Sequence, residues 1–244
     1  MRKQKISKEK PVSTIPFLTI DILSLFPNIF TGYLSEGLIT KAITEGIVSV
    51  SVHNIRDWTH DRHRTADDKP YGGGAGMIMK VEPVVSALKE LKRVNTHTIL
   101  LSPRGARFDQ EKARSLAKVD HLILICGHYE GVDQRVADCY ADEEVSIGDY
   151  ILSGGEPAAI VVVDALTRLV PGFVGNEQSL ENESFEGEPK LLEFPQYTRP
   201  KIFEGHAVPD ILLRGNHKEI EEWRKKKSME ITKLRRPDLI NKVN

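Results

Sequence analysis

Short apolar segments that alternate with helix-like segments constrain this chain more than any other feature. THTILLS at 96–102, HLILIC at 121–126 and EEVSI at 143–147 have strand length, and each is followed by a stretch with helical spacing. Strands that alternate with helices indicate βαβ units, and continuous apolar runs such as HLILIC indicate strands buried on both faces of a sheet. The sequence therefore predicts an α/β fold with a parallel, doubly wound sheet.

The first third of the chain supplies further elements of the same kind. Segments 16–23 and 47–54 are rich in β-branched residues and predict strands, whereas 36–47 and 81–94 have helical spacing. The segment between them, 56–77, is long, polar and glycine-rich. A connection of this length inside a compact domain is typical of a functional or disordered loop.

Glycine-rich loops follow three consecutive predicted strands. The residues concerned are Gly127 and Gly131 after HLILIC, Gly148, Gly154 and Gly155 after EEVSI, and Pro103-Arg104-Gly105 after THTILLS. For a lone glycine, a tight turn or helix cap is the ordinary explanation. In an open α/β sheet, however, ligands bind outside the carboxyl ends of the strands, and glycine lets the backbone approach a ligand closely. Three such loops predict one pocket, with Tyr129, Glu130, Asp149 and Tyr150 available to orient a ligand.

The domain organisation follows from composition and charge. Residues 1–15 predict a flexible basic tail, 16–170 the α/β domain, 171–187 an interdomain linker and 188–244 a small, mostly helical domain. Residues 142–186 contain ten acids and one base, whereas residues 187–244 contain nine acids and thirteen bases. Phosphate contacts dominate nucleic-acid binding, so the basic C-terminal part suits a nucleic-acid partner. For the run of four basic residues at 224–227, a solvated helix face is the ordinary explanation.

Several common chemistries do not fit the sequence. GGGAG at 72–76 lacks the last glycine of GxGxxG and the GK[ST] of a P-loop. The two cysteines form no CxxC pair, and His53, His60 and His63 lie on a polar segment with mixed spacing, so no metal site is predicted. No apolar run reaches the ~20 residues of a membrane span, and no signal-peptide core follows the basic start, which together predict a cytoplasmic protein.

Motifs in order along residues 16–240 resemble those of one enzyme family. They are IDILSLFP, KPYGGGAGMIMK, LSPRG, CGHYEGVDQR, SIGDYILSGGE, RLVPG, ESF, YTRP and GNHKEIEEWR. Their succession is similar to that of the bacterial tRNA (guanine-N1)-methyltransferases, which belong to the knotted SPOUT class. The resemblance implies a deep C-terminal trefoil knot in the α/β domain and transfer of a methyl group from S-adenosylmethionine to N1 of guanine 37 in tRNA.

The resemblance also implies which residues act. It places the methyl donor against Leu101, Pro103, Gly127, Tyr129, Glu130, Ile147, Gly148, Asp149, Tyr150, Ile151, Leu152, Gly154 and Gly155. It implies a homodimer in which the partner's linker and C-terminal domain complete each active site. It leaves open whether Mg²⁺ takes part or whether Glu130 assists through placement of the donor.

For catalysis, the resemblance implies that Glu183 removes the N1 proton and that Arg168 stabilises charge on guanine O6. The family has Asp where this chain has Glu183, so the carboxylate here has one more methylene. Arg199, Asn216 and His217 are the expected tRNA contacts, with helix capping as the alternative for Asn216 and a salt bridge as the alternative for Arg168. A SPOUT enzyme acting on another RNA nucleotide, or a catalytically silent tRNA-binding protein, are the alternative functions.

Overall fold

The structure, a computed structural model, describes residues 17–174 and 183–240. The chain divides into two compact units, residues 1–174 and 175–244, which are called the first and second unit below. The predicted basic tail at 1–15 lies outside the described residues, as do residues 175–182 of the predicted linker. The predicted domain boundaries therefore stay predictions.

The first unit alternates strands and helices. In chain order they are β1 (Leu18–Ser24), α1 (Thr31–Leu34), α2 (Gly37–Thr44), β2 (Val48–Asn54), β3 (Asp67–Asp68), β4 (Ile78–Met79), α3 (Val81–Leu91), β5 (Thr96–Arg107), α4 (Gln110–Leu116), β6 (His121–Cys126), α5 (Gln134–Cys139), β7 (Glu143–Ser146) and α6 (Glu156–Thr167), with short 3₁₀ helices at Pro27–Phe30 and Ile55–Trp58. Each apolar segment predicted to be a strand forms one, with ends within a few residues except in β5.

A five-stranded parallel sheet forms the centre of the first unit. The strand order is β2-β1-β6-β5-β7, and every neighbouring pair is parallel. Helices α2, α4 and α6 pack on one face, and α3 and α5 pack on the other. All six residues of β6 are buried because this strand lies at the middle of the sheet with both faces covered. The predicted parallel, doubly wound α/β fold is confirmed for this unit.

Strand β5 is longer than predicted because it contains a bulge. The sequence predicts an end at residue 102, but Ala106 and Arg107 resume pairing with β7. The register shifts between Leu101 and Ala106, both of which pair with Val145. A methyl group at Gly105 would overlap the backbone of Glu144 and Val145, so glycine fits this close approach. The bulged residues 102–105 are thereby held beside the end of β7.

The long polar segment before α3 has a defined structure. Its two-residue strands β3 and β4 pair antiparallel, and Lys80 N–H donates to Ala66 O at 2.8 Å. Met79 is fully buried, and its N–H donates to Gly131 O at 2.9 Å. The segment is therefore anchored on the loop that follows β6.

The second unit has α7 (His217–Arg235) as its longest element. Its described part, 183–240, also contains the ribbon β8 (Ile202–Phe203) and β9 (His206–Ala207) and 3₁₀ helices at Asp210–Leu213 and Pro237–Leu239. The sequence predicts a helix over 218–234 that begins at an Asn216 cap, and α7 agrees closely. Leu234, expected on the apolar side of this helix, is exposed. Over the described parts of both units, no helix combines the length and apolar character required to cross a membrane.

Candidate functional site

A cavity of about 970 Å³ opens at the carboxyl ends of β5, β6 and β7. Three strand ends, the segment before α3 and the start of α6 line it: residues 68–71, 78, 80–82, 100–104, 127–135, 145–148, 150–155 and 158. The strands are parallel, so their carboxyl ends meet at one edge of the sheet. The loops predicted to converge therefore line one cavity.

Backbone contacts join the loop after β6 to the loop after β7. Gly155 N–H donates to Gly127 O at 2.7 Å, and His128 forms a β-bridge with Gly154. A methyl group at Gly155 would lie 2.8 Å from Cys126 Cα, closer than packed atoms tolerate. Glycine is therefore needed at this position for a close approach of two backbones, and the side chains around the cavity are held by that approach.

The glycine-rich segment 72–76 supports the cavity from the other side. A methyl group at Gly76 would overlap the Glu130 side chain, and φ is +85° there, a value that favours glycine. Glu130 N–H donates to Met77 O at 3.0 Å. The position of Glu130 in the cavity wall is therefore set by this segment, as well as by the loop that carries it.

Charged side chains pair along the rim of the cavity. Arg135 Nε and Nη2 donate to the two carboxylate oxygens of Asp133 at 2.9 and 2.7 Å, which lowers the pKa of Asp133 below its ordinary value. The same pairing raises the pKa of Arg135. Arg104 Nη1 donates to Gln134 Oε1 at 2.9 Å across the rim. The rim thus carries both signs of charge at neutral pH.

The structure brings most of the residues expected to contact the methyl donor into the cavity wall. Those in the wall are Leu101, Pro103, Gly127, Tyr129, Glu130, Ile147, Gly148, Tyr150, Ile151, Leu152, Gly154 and Gly155. Asp149 is exposed and is not among the lining residues. Its neighbours Gly148 and Tyr150 line the cavity.

Other lining residues were not predicted from the sequence as donor contacts, and four polar or aromatic examples are Lys69, Tyr71, His128 and Ser153. Each of these four lies in a motif that carries the family resemblance, so the motifs could have indicated them as site residues. The length and glycine content of the segment at 56–77 also indicated a functional loop. Which of its side chains face the cavity depends on β3 and β4, whose two-residue strands are too short for periodicity to reveal.

Arg168 lies away from this cavity, in a second concavity of about 440 Å³ in the first unit. It follows α6, and its backbone N–H donates to Asp164 O. In the same concavity Tyr33 Oη donates to Asp164 Oδ1 at 2.8 Å. Burial, together with this hydrogen bond to a carboxylate, raises the pKa of Tyr33. The structure therefore does not bring Arg168 into the lining of the larger cavity.

The other expected catalytic residue, Glu183, lies on a turn of the second unit that is held by hydrogen bonds. Glu186 N–H donates to Glu183 O, and Glu193 N–H donates to Ser184 Oγ at 2.9 Å. Phe185 N–H donates to Leu191 O at 2.8 Å, and Phe185 has φ of 72°. These bonds fix the backbone from Glu183 to Glu186.

The three expected tRNA contacts lie on the surface of the second unit. Arg199, Asn216 and His217 are all exposed. Asn216 caps α7, since its Oδ1 accepts from Glu219 N–H at 3.5 Å and its Nδ2 donates to Glu219 Oε1 at 2.8 Å. The capping role considered for Asn216 is therefore present, and it leaves the neighbouring His217 side chain at the start of the helix.

No metal-binding group is evident in the part of the chain that the structure describes. Within 17–174 and 183–240, no three His, Cys, Asp or Glu side chains are placed to hold an ion. His53 instead has its Nε2 at 2.7 Å from Asp21 Oδ1, within the sheet. These residues therefore do not fit a protein-held Mg²⁺ site.

Comparison with known proteins gives a consistent assignment. The family model described as tRNA (Guanine-1)-methyltransferase TrmD matches residues 18–242. A tRNA (guanine-N(1)-)-methyltransferase from Carboxydothermus hydrogenoformans is 56% identical over 91% of this chain and 87% of the relative. A relative of the same name from Dictyoglomus turgidum is 52% identical over 93% of this chain and 91% of its own length. Another from Geobacter sulfurreducens is 51% identical over 93% of this chain and 92% of its own length.

Proposed function

The chain belongs to the tRNA (guanine-1)-methyltransferase family, and we propose that it transfers the methyl group of S-adenosylmethionine to N1 of guanine 37 in tRNA. It is an enzyme that methylates tRNA at guanine N1. The observation that carries the assignment of the site is the cavity at the ends of β5, β6 and β7. We place the enzyme in the cytoplasm, where tRNA is found.

The cavity suits the methyl donor in size and chemistry. Its volume of about 970 Å³ lies at the upper end of the range for small-molecule sites. Leu101, Ile147 and Leu152 provide apolar surface for the faces of an adenine, while backbone groups near Gly127 and Gly155 can bind its edge. When bound, the donor supplies an electrophilic methyl group on a positively charged sulfur. The protein's task is to hold it and exclude water.

Glu183 is the proposed general base. Guanine N1 carries a proton and becomes nucleophilic only when that proton leaves, so a positioned carboxylate can contribute about 10²- to 10⁴-fold to the rate. The bonds at Ser184 and Phe185 fix the turn that carries Glu183. The added methylene relative to Asp lengthens the reach of the carboxylate, and the fixed backbone limits where it can go.

Arg168 is proposed to stabilise the negative charge that develops on guanine O6 as N1 is deprotonated. Arg168 is outside the lining of the donor cavity, and Glu183 belongs to the second unit. We therefore propose that the site is completed in a homodimer, in which Arg168 and the second unit of one chain serve the donor cavity of the other. We also propose that the loops after β6 and β7 form the family's trefoil knot. The roles proposed for Glu183 and Arg168 do not depend on Mg²⁺.

The second unit is the proposed tRNA-binding part. Its basic residues can neutralise phosphates, and Arg199, Asn216 and His217 are exposed and available for contact. Guanine 37 lies in the anticodon loop, where bases are only partly stacked and can be turned out towards an active site. Asn216 is engaged in capping, so its exposed neighbour His217 is the better candidate for an RNA contact.

A methylation assay on two transcripts tests this function. The full-length protein is incubated with radiolabelled S-adenosylmethionine and with tRNA carrying either guanine or adenine at position 37. We expect label in the guanine transcript, recovered as 1-methylguanosine, and none above background in the adenine transcript. Equal labelling of both would identify a methyltransferase for another nucleotide. Binding of the guanine transcript without labelling would identify a catalytically silent tRNA-binding protein.

A further inference from the structure

Glu156 is a buried carboxylate that the proposed mechanism does not use. It is the first residue of α6 and is 1% exposed, and Ser24 Oγ donates to its Oε1 at 2.7 Å. Burial of an ionised carboxylate is costly unless charge or hydrogen bonds compensate. The start of α6 supplies part of that compensation through the helix dipole. The second oxygen, Oε2, faces His128.

His128 has a buried ring nitrogen that lacks a hydrogen bond among the described residues. This atom, Nδ1, lies 3.8 Å from Glu156 Oε2, about 1 Å too far for a hydrogen bond. Nearly all buried polar atoms in native proteins have partners, so this atom needs an explanation. Gly154 packs against both atoms, and a methyl group on it would overlap each of them. Only a glycine at this position leaves the two groups free to approach.

The His128 ring is connected to the wall of the donor cavity. It packs on Phe26 at 4.7 Å and edge-on against Tyr129 at 4.8 Å between ring centroids. Tyr129 has φ of 58°, which non-glycine residues rarely adopt, and its partly exposed ring lines the cavity. A shift of His128 therefore acts on a strained neighbour that faces the donor.

The Glu156 carboxylate lies between residues from two other segments near the cavity. Ser24 ends β1, His128 lies in the loop after β6, and Glu156 follows the loop after β7. The β-bridge between His128 and Gly154 already brings the last two together. Contact between Glu156 and His128 would hold these loops, and with them Tyr129, in a single arrangement.

We propose that Glu156 and His128 are positioning residues for the methyl donor, and that donor binding closes their 3.8 Å gap to a charge-assisted hydrogen bond. This inference rests on the proposed function, because it assumes that the cavity binds S-adenosylmethionine. Neither residue takes part in methyl transfer itself. Their loss therefore weakens donor binding and leaves the interaction with tRNA unchanged.

Calorimetric titration of S-adenosylmethionine into four proteins tests the pair: wild type, Glu156→Gln, His128→Gln and the double variant. Each single substitution should raise the donor Kd about tenfold, and the double variant should be little weaker than either single one, because both break the same contact. The KM for tRNA should stay within about twofold of wild type. If Glu156→Gln does not fold, the donor Kd and tRNA KM of His128→Gln decide the matter by the same criteria.

Glu143→Gln is the matched control, because it also removes a carboxylate facing a histidine. Glu143 Oε1 lies 2.8 Å from His97 Nε2 at the start of β7, away from the cavity lining. It should leave the donor Kd unchanged. A wild-type Kd for Glu156→Gln, or effects of the two substitutions that multiply to about a hundredfold, would overturn the inference while leaving the proposed function standing. Failure of the wild-type protein to bind the donor would overturn the proposed function instead.

Discussion

Hydrogen bonds of single residues hold the turn that carries Glu183, the proposed general base. Ser184 Oγ accepts a hydrogen bond from Glu193 N–H, and Phe185 adopts the left-handed region while its N–H donates to Leu191 O. A non-glycine residue held with positive φ is costly and persists where the surroundings fix it. The proposed base therefore projects from a backbone that the second unit holds in place.

The first prediction concerns Glu183. Glu183→Gln should lower kcat by about 10²- to 10⁴-fold, because the amide cannot accept the N1 proton, and should leave the Kd for S-adenosylmethionine unchanged. Single-turnover methyl transfer and calorimetry measure the two quantities. Glu188→Gln, a change at an exposed acid nearby, is the control and should retain wild-type turnover. Near-normal turnover by Glu183→Gln would refute the role of general base.

The second prediction concerns Gly155, whose missing side chain allows two loops to meet. Gly155→Ala should lower the free energy of unfolding by about 1–3 kcal/mol, because the new methyl group meets the backbone at Cys126. The donor Kd should rise at least about tenfold, since the loops must separate. Urea denaturation and calorimetry check this. Gly32→Ala has open space around it and should change neither quantity substantially. Donor binding by Gly155→Ala at the wild-type Kd would contradict the proposed loop contact.

At the scale of elements, Asp21 ties three neighbouring strands of the sheet together. Asp21 lies on β1 and is almost fully buried, and its two carboxylate oxygens lie 2.7 Å from Nε2 of His53 on β2 and of His121 on β6. Burial alone would raise the pKa of Asp21, but the hydrogen bonds from the two histidines lower it below its ordinary value. The carboxylate therefore stays ionised inside the sheet.

The third prediction follows from this network. Asp21→Asn should lower the free energy of unfolding by about 3 kcal/mol at pH 7, because it leaves the buried His121 and the partly buried His53 with a neutral partner. Since the folded-state pKa is below the unfolded value of about 3.9, the stabilising contribution is complete above about pH 4 and is lost as the pH falls through the folded-state pKa.

Urea denaturation of wild type and Asp21→Asn from pH 7 down to pH 3 measures the difference. The gap between the two proteins should narrow below about pH 4. Asp120→Asn, at an exposed acid, should stay within about 0.5 kcal/mol of wild type throughout. A gap of constant size from pH 7 to pH 3 would argue against the network.

The strands and their contacts differ in how far the sequence could predict them. Strand β6 was predictable to the residue, because the apolar run LILIC follows His121 and is itself followed by Gly127. The bulge at 102–105 was not, because it depends on how residues 106–107 pair with β7. Likewise His53 stood beside other histidines in the sequence, whereas its partner Asp21 lies 32 residues away and meets it only across paired strands. Local periodicity predicts elements, and long-range pairing decides which side chains meet.

At the scale of the whole molecule, donor binding and tRNA binding are proposed to lie in different units. The first unit forms the cavity that is proposed to bind the donor, and Glu183 and the expected tRNA contacts belong to the second unit. The acidic stretch 142–186 would repel RNA by itself, whereas the basic residues that follow it can hold RNA. The proposed dimer, in which each chain would serve the other, would reconcile these opposite charges.

The fourth prediction tests that sharing of sites. Glu183→Gln is mixed with Gly155→Ala under conditions that exchange subunits, at a donor concentration too low for Gly155→Ala to bind. If the base of one chain serves the cavity of the other, the mixture should recover roughly a quarter of the wild-type rate, since half of the dimers are mixed and each has one intact site. Each variant alone should be inactive. Absence of recovery, once mixed dimers are detected by mass spectrometry, would mean that Glu183 serves its own chain.

The most direct measurement for the whole account is a crystal structure of the full-length protein grown with saturating S-adenosylmethionine. We expect density for the donor between residues 100–104, 127–135 and 145–155, with its adenine edge against backbone atoms near Gly127 and Gly155. Tyr129 should border it, and the gap between Glu156 and His128 should be closed. Donor bound elsewhere, or a cavity that stays empty in crystals of protein shown to bind the donor, would contradict the central claim.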